Sequence, residues 1–244
     1  MANHIQRVKG AVKQRFPAIV PLVRRLKRQL KPDRTDAAPA LPIAEVFSRV
    51  YDTNYWANSH SRSGNGSDLS RTAAIRAEIP RLIRDYKIVS MLDAPCGDFF
   101  WMRECELSVQ AYIGADIVPG MIDDLNARFG NSNRRFECLD LTKDPLPRVD
   151  LVLCRDALVH FSFRDIRRAL ANLKRSGSTY LLTTTFTGRA ENFDTTTSGN
   201  WRPLNLQIYP FSFPPPLRLI NEKCTEGNNE FTDKSLGLWA IADL

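Results

Sequence analysis

From residue 88 onward the chain alternates short apolar runs with longer amphipathic ones, and this alternation restricts its fold more than any other feature. "IVSMLDA" (88–94) is apolar and short, as a buried strand requires. "VQAYIGAD" (109–116), "RRFECLDL" (134–141), "VDLVLCRD" (149–156) and "TYLLTTTF" (179–186) repeat that character. Between them the sequence predicts a short helix over 99–106 and longer ones at "PGMIDDLNARFG" (119–130) and "SFRDIRRALANLKRSG" (162–177). The last carries a Ser162–Asp165 capping pattern, an apolar stripe at Ile166, Leu170 and Leu173, and Gly177 as its stop. Gly130 is the expected stop of the helix before it. Strands joined through helices lie parallel, so the expected class is α/β with a doubly wound sheet. Near the end, "LRLINEKCTEG" and "SLGLWAIAD" flank a polar turn and read as an antiparallel hairpin added at an edge. Upstream, a short helix is expected at 43–51, then a Ser/Asn/Gly-rich loop over 52–68. The next helix, about 70–85, has Ser70 or Asp68 as its cap. No internal repeat is visible.

Charge is distributed unevenly. The chain holds 34 Lys and Arg against 27 Asp and Glu, a net +7. Residues 1–34 account for ten of the basic residues and one acid, so the rest is close to neutral. That argues against a nucleic-acid-binding body. Ile5, Val8, Val12, Phe16, Ile19 and Leu26 interleave with the basic residues, and Pro17 and Pro21 split the segment into two short predicted helices. Such a segment suits peripheral association with an anionic membrane or a partner surface; the other reading is a solvated leader. "KPDRTDAAPALP" (31–42) has linker composition. The expected division is therefore a basic leader and linker over 1–42 and one domain over 43–244. No run approaches the ~18 apolar residues of a membrane span, and no apolar signal core precedes the body. The expected location is cytoplasmic, at most peripheral to the inner face of the membrane. The five cysteines form no CxxC pair and no metal spacing, so they read as reduced thiols.

The turn "MLDAPCGDFFW" (91–101) carries the functional signal. Asp93 ends the first strand of the alternation, and Asp116 ends the second, 23 positions later. That offset suits a carboxylate that receives ribose hydroxyls. A dinucleotide site also needs glycine late in the turn, so that a pyrophosphate can reach the helix N-terminus. Phe99, Phe100 and Trp101 stand there instead, and no GK[ST] phosphate loop is present. The turn therefore favours an adenosine-like nucleoside without phosphates. Singly, Asp93, Asp116 and Asp140 also read as caps and Gly97 as a turn glycine. In series, each at a strand's carboxyl end, they point to a nucleoside cofactor site.

"LDAPCGD" (92–98) resembles the first motif of class I S-adenosylmethionine-dependent methyltransferases, "GADIV" (114–118) the second, "ECLDL" (137–141) the third and "VDLVLCRDALVHF" (149–161) the fourth. The resemblance covers residues 88–186. It implies a Rossmann-like, mostly parallel seven-stranded sheet with an antiparallel terminal strand, supplied by the late hairpin. It implies S-adenosyl-L-methionine as cofactor. By the same resemblance, Asp93 and Gly97 hold the methionine end within a cofactor-binding turn that includes Ala94, Pro95, Cys96 and Asp98, Asp116 with Ile117 holds the ribose, and Asp140 with Leu141 frames the adenine. Arg155 joins the cofactor-binding set, with pairing to Asp156 as its other reading. Pro95 and Phe99 depart from the family, which has glycine there.

A sulfonium methyl is already activated, so the protein's task is to align an acceptor; alignment supplies roughly 7–11 kcal/mol of barrier reduction. An oxygen acceptor also needs a base. His160, just past the fourth strand, is the candidate, with Asp156 as its orienting partner or an acceptor contact; the plainer reading of His160 is a structural histidine. The fourth motif lacks both the [DN]PP[YF] of nucleobase amino-methylation and the Pro-Cys of cytosine C5 methylation. A small-molecule or glycan acceptor is therefore expected over nucleic acid. The rival readings are an RNA or protein methyltransferase, or a non-catalytic cofactor-binding module tethered by its basic tail. Two loops, 52–68 and 187–215, are long enough to close the site. In the second, Arg202 and Asn205 are expected to grip hydroxyls, with Tyr209, Phe211 and Phe213 as an apolar wall; its other reading is a proline-stiffened cover over the sheet edge.

Overall fold

The strands that form are β1 (Ser90–Asp93), β2 (Ala111–Asp116), β3 (Arg134–Cys138), β4 (Leu151–Cys154), β5 (Tyr180–Phe186), β6 (Arg218–Asn221) and β7 (Lys234–Ala240). They make one sheet in the order β3-β2-β1-β4-β5-β7-β6. This computed structural model describes residues 41–195 and 197–244; the two helices expected within 1–31 and the surface-binding role of 1–34 lie outside them. β1 through β5 pair in parallel, while β7 pairs antiparallel with both β5 and β6. Only β7 is therefore reversed. This is the Rossmann-like sheet with an antiparallel terminal strand that the resemblance implies.

Apolar alternation decides which side chains go to which face. Met91, Leu151 and Leu153 pack with Ile75, Ile79 and Leu82 of α2 (Leu69–Asp85) and with Leu125 of α3 (Pro119–Phe129). Leu92, Val152 and Cys154 pack oppositely, against Ile166, Ala169 and Leu173 of α4 (Phe163–Ser176). Both faces are covered, which is why β4 is apolar at every position. The α4 caps are as expected: Ser162 Oγ accepts from the Asp165 N–H at 3.2 Å, and Gly177 is left-handed at φ 67°.

Three local expectations are corrected. Gly130 has φ −64° and ψ 141°, so α3 ends by running into extended backbone rather than through a left-handed residue. The helix expected at 99–106 is a single 3-10 turn, Met102–Glu104, because Phe99 takes a left-handed φ of 58° that an α-helix cannot contain. Asp68 occupies the N-cap position of α2, but its carboxylate receives Asn58 Nδ2 at 3.0 Å instead of capping the helix. The first helix, α1 (Ile43–Asp52), forms where expected. Among the described residues, no helix is long and apolar enough to cross a membrane.

Candidate active site

The carboxyl ends of β1, β2 and β4 meet in a cavity of about 510 Å³, the position where open α/β sheets bind ligands. Asp93, Ala94, Pro95, Cys96 and Gly97 line it from the β1 turn. The aromatic residues that crowd this turn in sequence mostly point elsewhere. Phe99 is buried among Tyr112, Phe129 and Phe136, with ring centroids 5.2 to 5.5 Å apart. Phe100 stacks on His60, and only Trp101 reaches the cavity wall. A left-handed non-glycine residue is costly by roughly 1–2 kcal/mol, and burial of this ring offsets it.

Asp116 is the pivot of the cradle. Its Oδ2 accepts the Gly97 N–H at 3.1 Å, and its Oδ1 accepts the N–H groups of Ile117 at 2.7 Å and Val118 at 3.3 Å. An ionised carboxylate offers about four acceptor positions, so one remains for a ligand hydroxyl. Burial pushes this carboxyl up to about 6, against the pull of those backbone bonds. Asp93 is buried too, and burial raises it to about 7 although the Tyr112 hydroxyl donates to Oδ2 at 2.7 Å. Its Oδ1 has no partner among the described residues. Gly97 is left-handed at φ 54°, and a Cβ there would collide with Ser63 Oγ. Beyond Asp116, Ile117, Val118, Met121, Leu139 and Leu141 offer an apolar slot. Asp140 also lines the cavity, but its Oδ1 is taken by the N–H and hydroxyl of Thr142 at 2.9 and 2.6 Å. A buried carboxylate with an open acceptor position, a second buried acid and an apolar slot fit a nucleoside bearing a charged aliphatic arm.

Asp98 has a different place from the one expected. It is absent from the cavity wall and holds the 52–68 loop instead, accepting from Ser61 Oγ at 3.0 Å, Arg62 N at 2.8 Å and Ser63 Oγ at 3.1 Å. Residues 62–67 thereby roof the cavity beside Trp56, as a closing loop should.

The far end of the cavity is built from β4 and β7. Arg155 lines it but is bound in an ion pair, its Nη2 2.7 Å from Glu222 and 2.9 Å from the Gly66 carbonyl. Lys234 Nζ lies 2.7 Å from Asp156 Oδ2 and 3.5 Å from Glu222. Burial alone would raise the Asp156 carboxyl; Lys234 and Arg155 hold it well below its ordinary range. Asp156 itself is left-handed at φ 54°, with its N–H on Thr184 Oγ1 at 2.8 Å. His160 stands in the same wall, against Phe47 and Trp56 at 6.2 and 5.7 Å between centroids. Burial lowers it to about 4, so the ring is neutral. Its Nδ1 has no hydrogen-bond partner among the described residues, and no hydrogen bond joins it to Asp156.

The residues of loop 187–215 expected to meet the acceptor are elsewhere. Arg202 is buried and donates to the carbonyls of Leu158, Val159 and Phe193 at 2.8 to 3.1 Å. Asn205 Nδ2 donates to the Arg189 carbonyl at 3.0 Å. Tyr209 is 83% exposed and outside the cavity. Phe211 packs on Phe163 and Phe213 on Trp239, so most of loop 187–215 is a cover braced by its own backbone. Among the described residues of that loop Trp201 alone lines the cavity, joined by Phe186, Phe231 and Lys234, none of which the sequence singles out.

Residues 91–177 match the family model described as "Methyltransferase domain". The match covers about a third of the chain and marks that stretch as a methyltransferase domain. Human N-acetylserotonin methyltransferase, solved with S-adenosylmethionine, aligns with a TM-score of 0.54 and 15% identity, over 82% of this chain and 59% of its own. This methyltransferase domain thus spans about three fifths of that protein's length. An S-adenosylmethionine-dependent methyltransferase from Clostridium acetobutylicum aligns with a TM-score of 0.50 and 11% identity, over 80% of this chain and 97% of its own. At these identities the likeness is one of fold. No curated protein matches the chain.

Proposed function

We propose that the chain transfers a methyl group from S-adenosylmethionine to an oxygen of a small-molecule or glycan acceptor. The observation that carries this is a cradle with one open carboxylate position at Asp116, sharing a single cavity with a neutral imidazole whose Nδ1 is unpartnered. The cofactor, when bound, supplies a methyl carbon activated by the sulfonium. Asp116 and Asp93 would hold its ribose hydroxyls and its ammonium, and the slot around Leu139 and Leu141 its base. The roof at 62–67 excludes water. His160 receives the acceptor's hydroxyl proton. An imidazole near 4 is a weak base toward a resting alcohol, but an oxygen becomes strongly acidic as it is alkylated, so a weak base suffices if transfer is late. Asp156 steadies the charge then formed on His160, and the Lys234 bond keeps that carboxylate ionised. The basic residues 1–34 support a place of action at the inner, anionic face of a membrane.

The test has two readouts. S-adenosylhomocysteine should bind the full chain in a calorimeter, and His160→Ala should retain that binding while labelled methyl transfer into small-molecule and glycan fractions falls at least a hundredfold. Transfer that survives the substitution would remove His160 from the mechanism.

A further inference from the structure

We propose that the acceptor is an uncharged pyranose ring laid on the face of Trp201, with its edge hydroxyls received by Asp156 and Glu226. This rests on the methyl-transfer reading and names the acceptor class within it. Trp201 lines the cavity and remains 43% exposed. Its ring neighbours, Phe231 at 4.9 Å and Phe186 at 5.9 Å, stand at 74° and 82° to it. No ring among the described residues stacks parallel on it, so the indole is buttressed from the side. A ring held this way is a platform for the aliphatic C–H face of a sugar.

The backbone brings this platform to the reacting end. Gly199 N donates to the His160 carbonyl at 2.7 Å and Arg202 N to the Val159 carbonyl at 3.0 Å, which ties the segment around Trp201 to the turn bearing His160. Lys234 N donates to the Phe231 carbonyl at 3.0 Å, so the ring beside Trp201 and the cation on Asp156 share one turn. Trp56 closes the other side of His160 at 5.7 Å.

Charge and polarity decide between acceptor types. At the β4–β7 end of the cavity the ionic groups are matched in pairs: Arg155 with Glu222 at 2.7 Å, Lys234 with Asp156 at 2.7 Å, and Glu226 with Arg71 outside the wall at 2.6 Å. A charged acceptor at that end would meet no free counter-charge and would be buried at a penalty. The paired carboxylates of Asp156 and Glu226 still have open lone pairs, which suit hydroxyl donors. A flat phenolic acceptor would leave those positions empty, whereas a ring with one apolar face and a hydroxylated edge uses both.

Ligand-observed saturation-transfer NMR on the full chain, saturated with S-adenosylhomocysteine, tests this directly. The probes are the methyl pyranosides of glucose, galactose, mannose and rhamnose, with the glucuronide and catechol as comparators. At least one neutral pyranoside should show transfer concentrated on the C–H protons of one ring face, with weak or no transfer to glucuronide and catechol. Trp201→Ala should weaken that binding at least tenfold and Trp201→Phe by less, while calorimetric affinity for S-adenosylhomocysteine is unchanged in both. Binding of catechol or glucuronide in preference to every neutral pyranoside would overturn the assignment. So would pyranoside binding indifferent to Trp201→Ala. A wild-type chain that binds pyranosides but not S-adenosylhomocysteine would instead overturn the methyl-transfer reading, leaving a sugar-binding cavity.

Discussion

Asp93 and Asp116 are carboxyls raised by burial to about 7 and about 6, so protons compete with ligand at both. Affinity for S-adenosylhomocysteine should tighten as pH rises from 5 to 8, and Asp93→Asn should flatten the upper part of that rise in calorimetry. His160 is shifted in the opposite direction. Its folded value of about 4 lies below the ordinary 6.5, so the native state binds fewer protons than the unfolded chain between them. Its contribution is present above 6.5 and is lost as pH falls toward 4. Relative to His160→Gln, the wild-type chain should lose up to ~3 kcal/mol over that window, read from denaturant midpoints at each pH. That Asp93, Asp116 and Gly97 line one cavity is legible in sequence, because the two acids end β1 and β2 and Gly97 lies in the turn after β1. The place of Asp98 is not, since its partners Ser61, Arg62 and Ser63 lie 35 to 37 positions away. Nor does sequence say whether a buried guanidinium such as Arg202 faces a ligand or the chain's own carbonyls.

At the level of elements, the β6–β7 hairpin does more than complete the sheet. Its register puts Lys234 opposite Phe186 of β5 and Ser235 opposite Asn221 of β6, which delivers Lys234 and Glu222 to the end of β4. Apolar alternation revealed that a hairpin exists. It did not reveal the register, which depends on how the 187–217 connection packs. Glu222 is 3% exposed and neutralises Arg155, its Oε1 accepting from Nε and its Oε2 from Nη2. Glu222→Ala should therefore destabilise the fold by about 3–5 kcal/mol in chemical denaturation, because it strands a buried cation. The caps of α4 were readable because Ser162, Asp165 and Gly177 act within one or two turns of chain. The 3-10 turn after β1 was not, because Phe99 is held in its left-handed state by rings from β2, α3 and β3.

Across the whole molecule, charge and chemistry are separated along the chain. Ten basic residues against one acid in residues 1–34, each worth about 1 kcal/mol near an anionic surface, should make the full chain co-sediment with anionic liposomes at low salt and not at high salt. A chain beginning at residue 41 should lose that behaviour and keep its affinity for S-adenosylhomocysteine. The three bonds from Ser61, Arg62 and Ser63 to Asp98 have a kinetic meaning of their own. They fasten the roof to the turn after β1, the end proposed for the nucleoside, while Arg155 holds the Gly66 carbonyl of the same roof and Trp201 stays 43% exposed. The nucleoside end must unfasten to exchange its occupant and the acceptor end need not. Turnover should then be ordered, with the methyl donor first on and its demethylated product last off. Product inhibition would show it: S-adenosylhomocysteine competitive against the donor and noncompetitive against the acceptor, with Asp98→Asn accelerating turnover wherever departure of that product sets the pace.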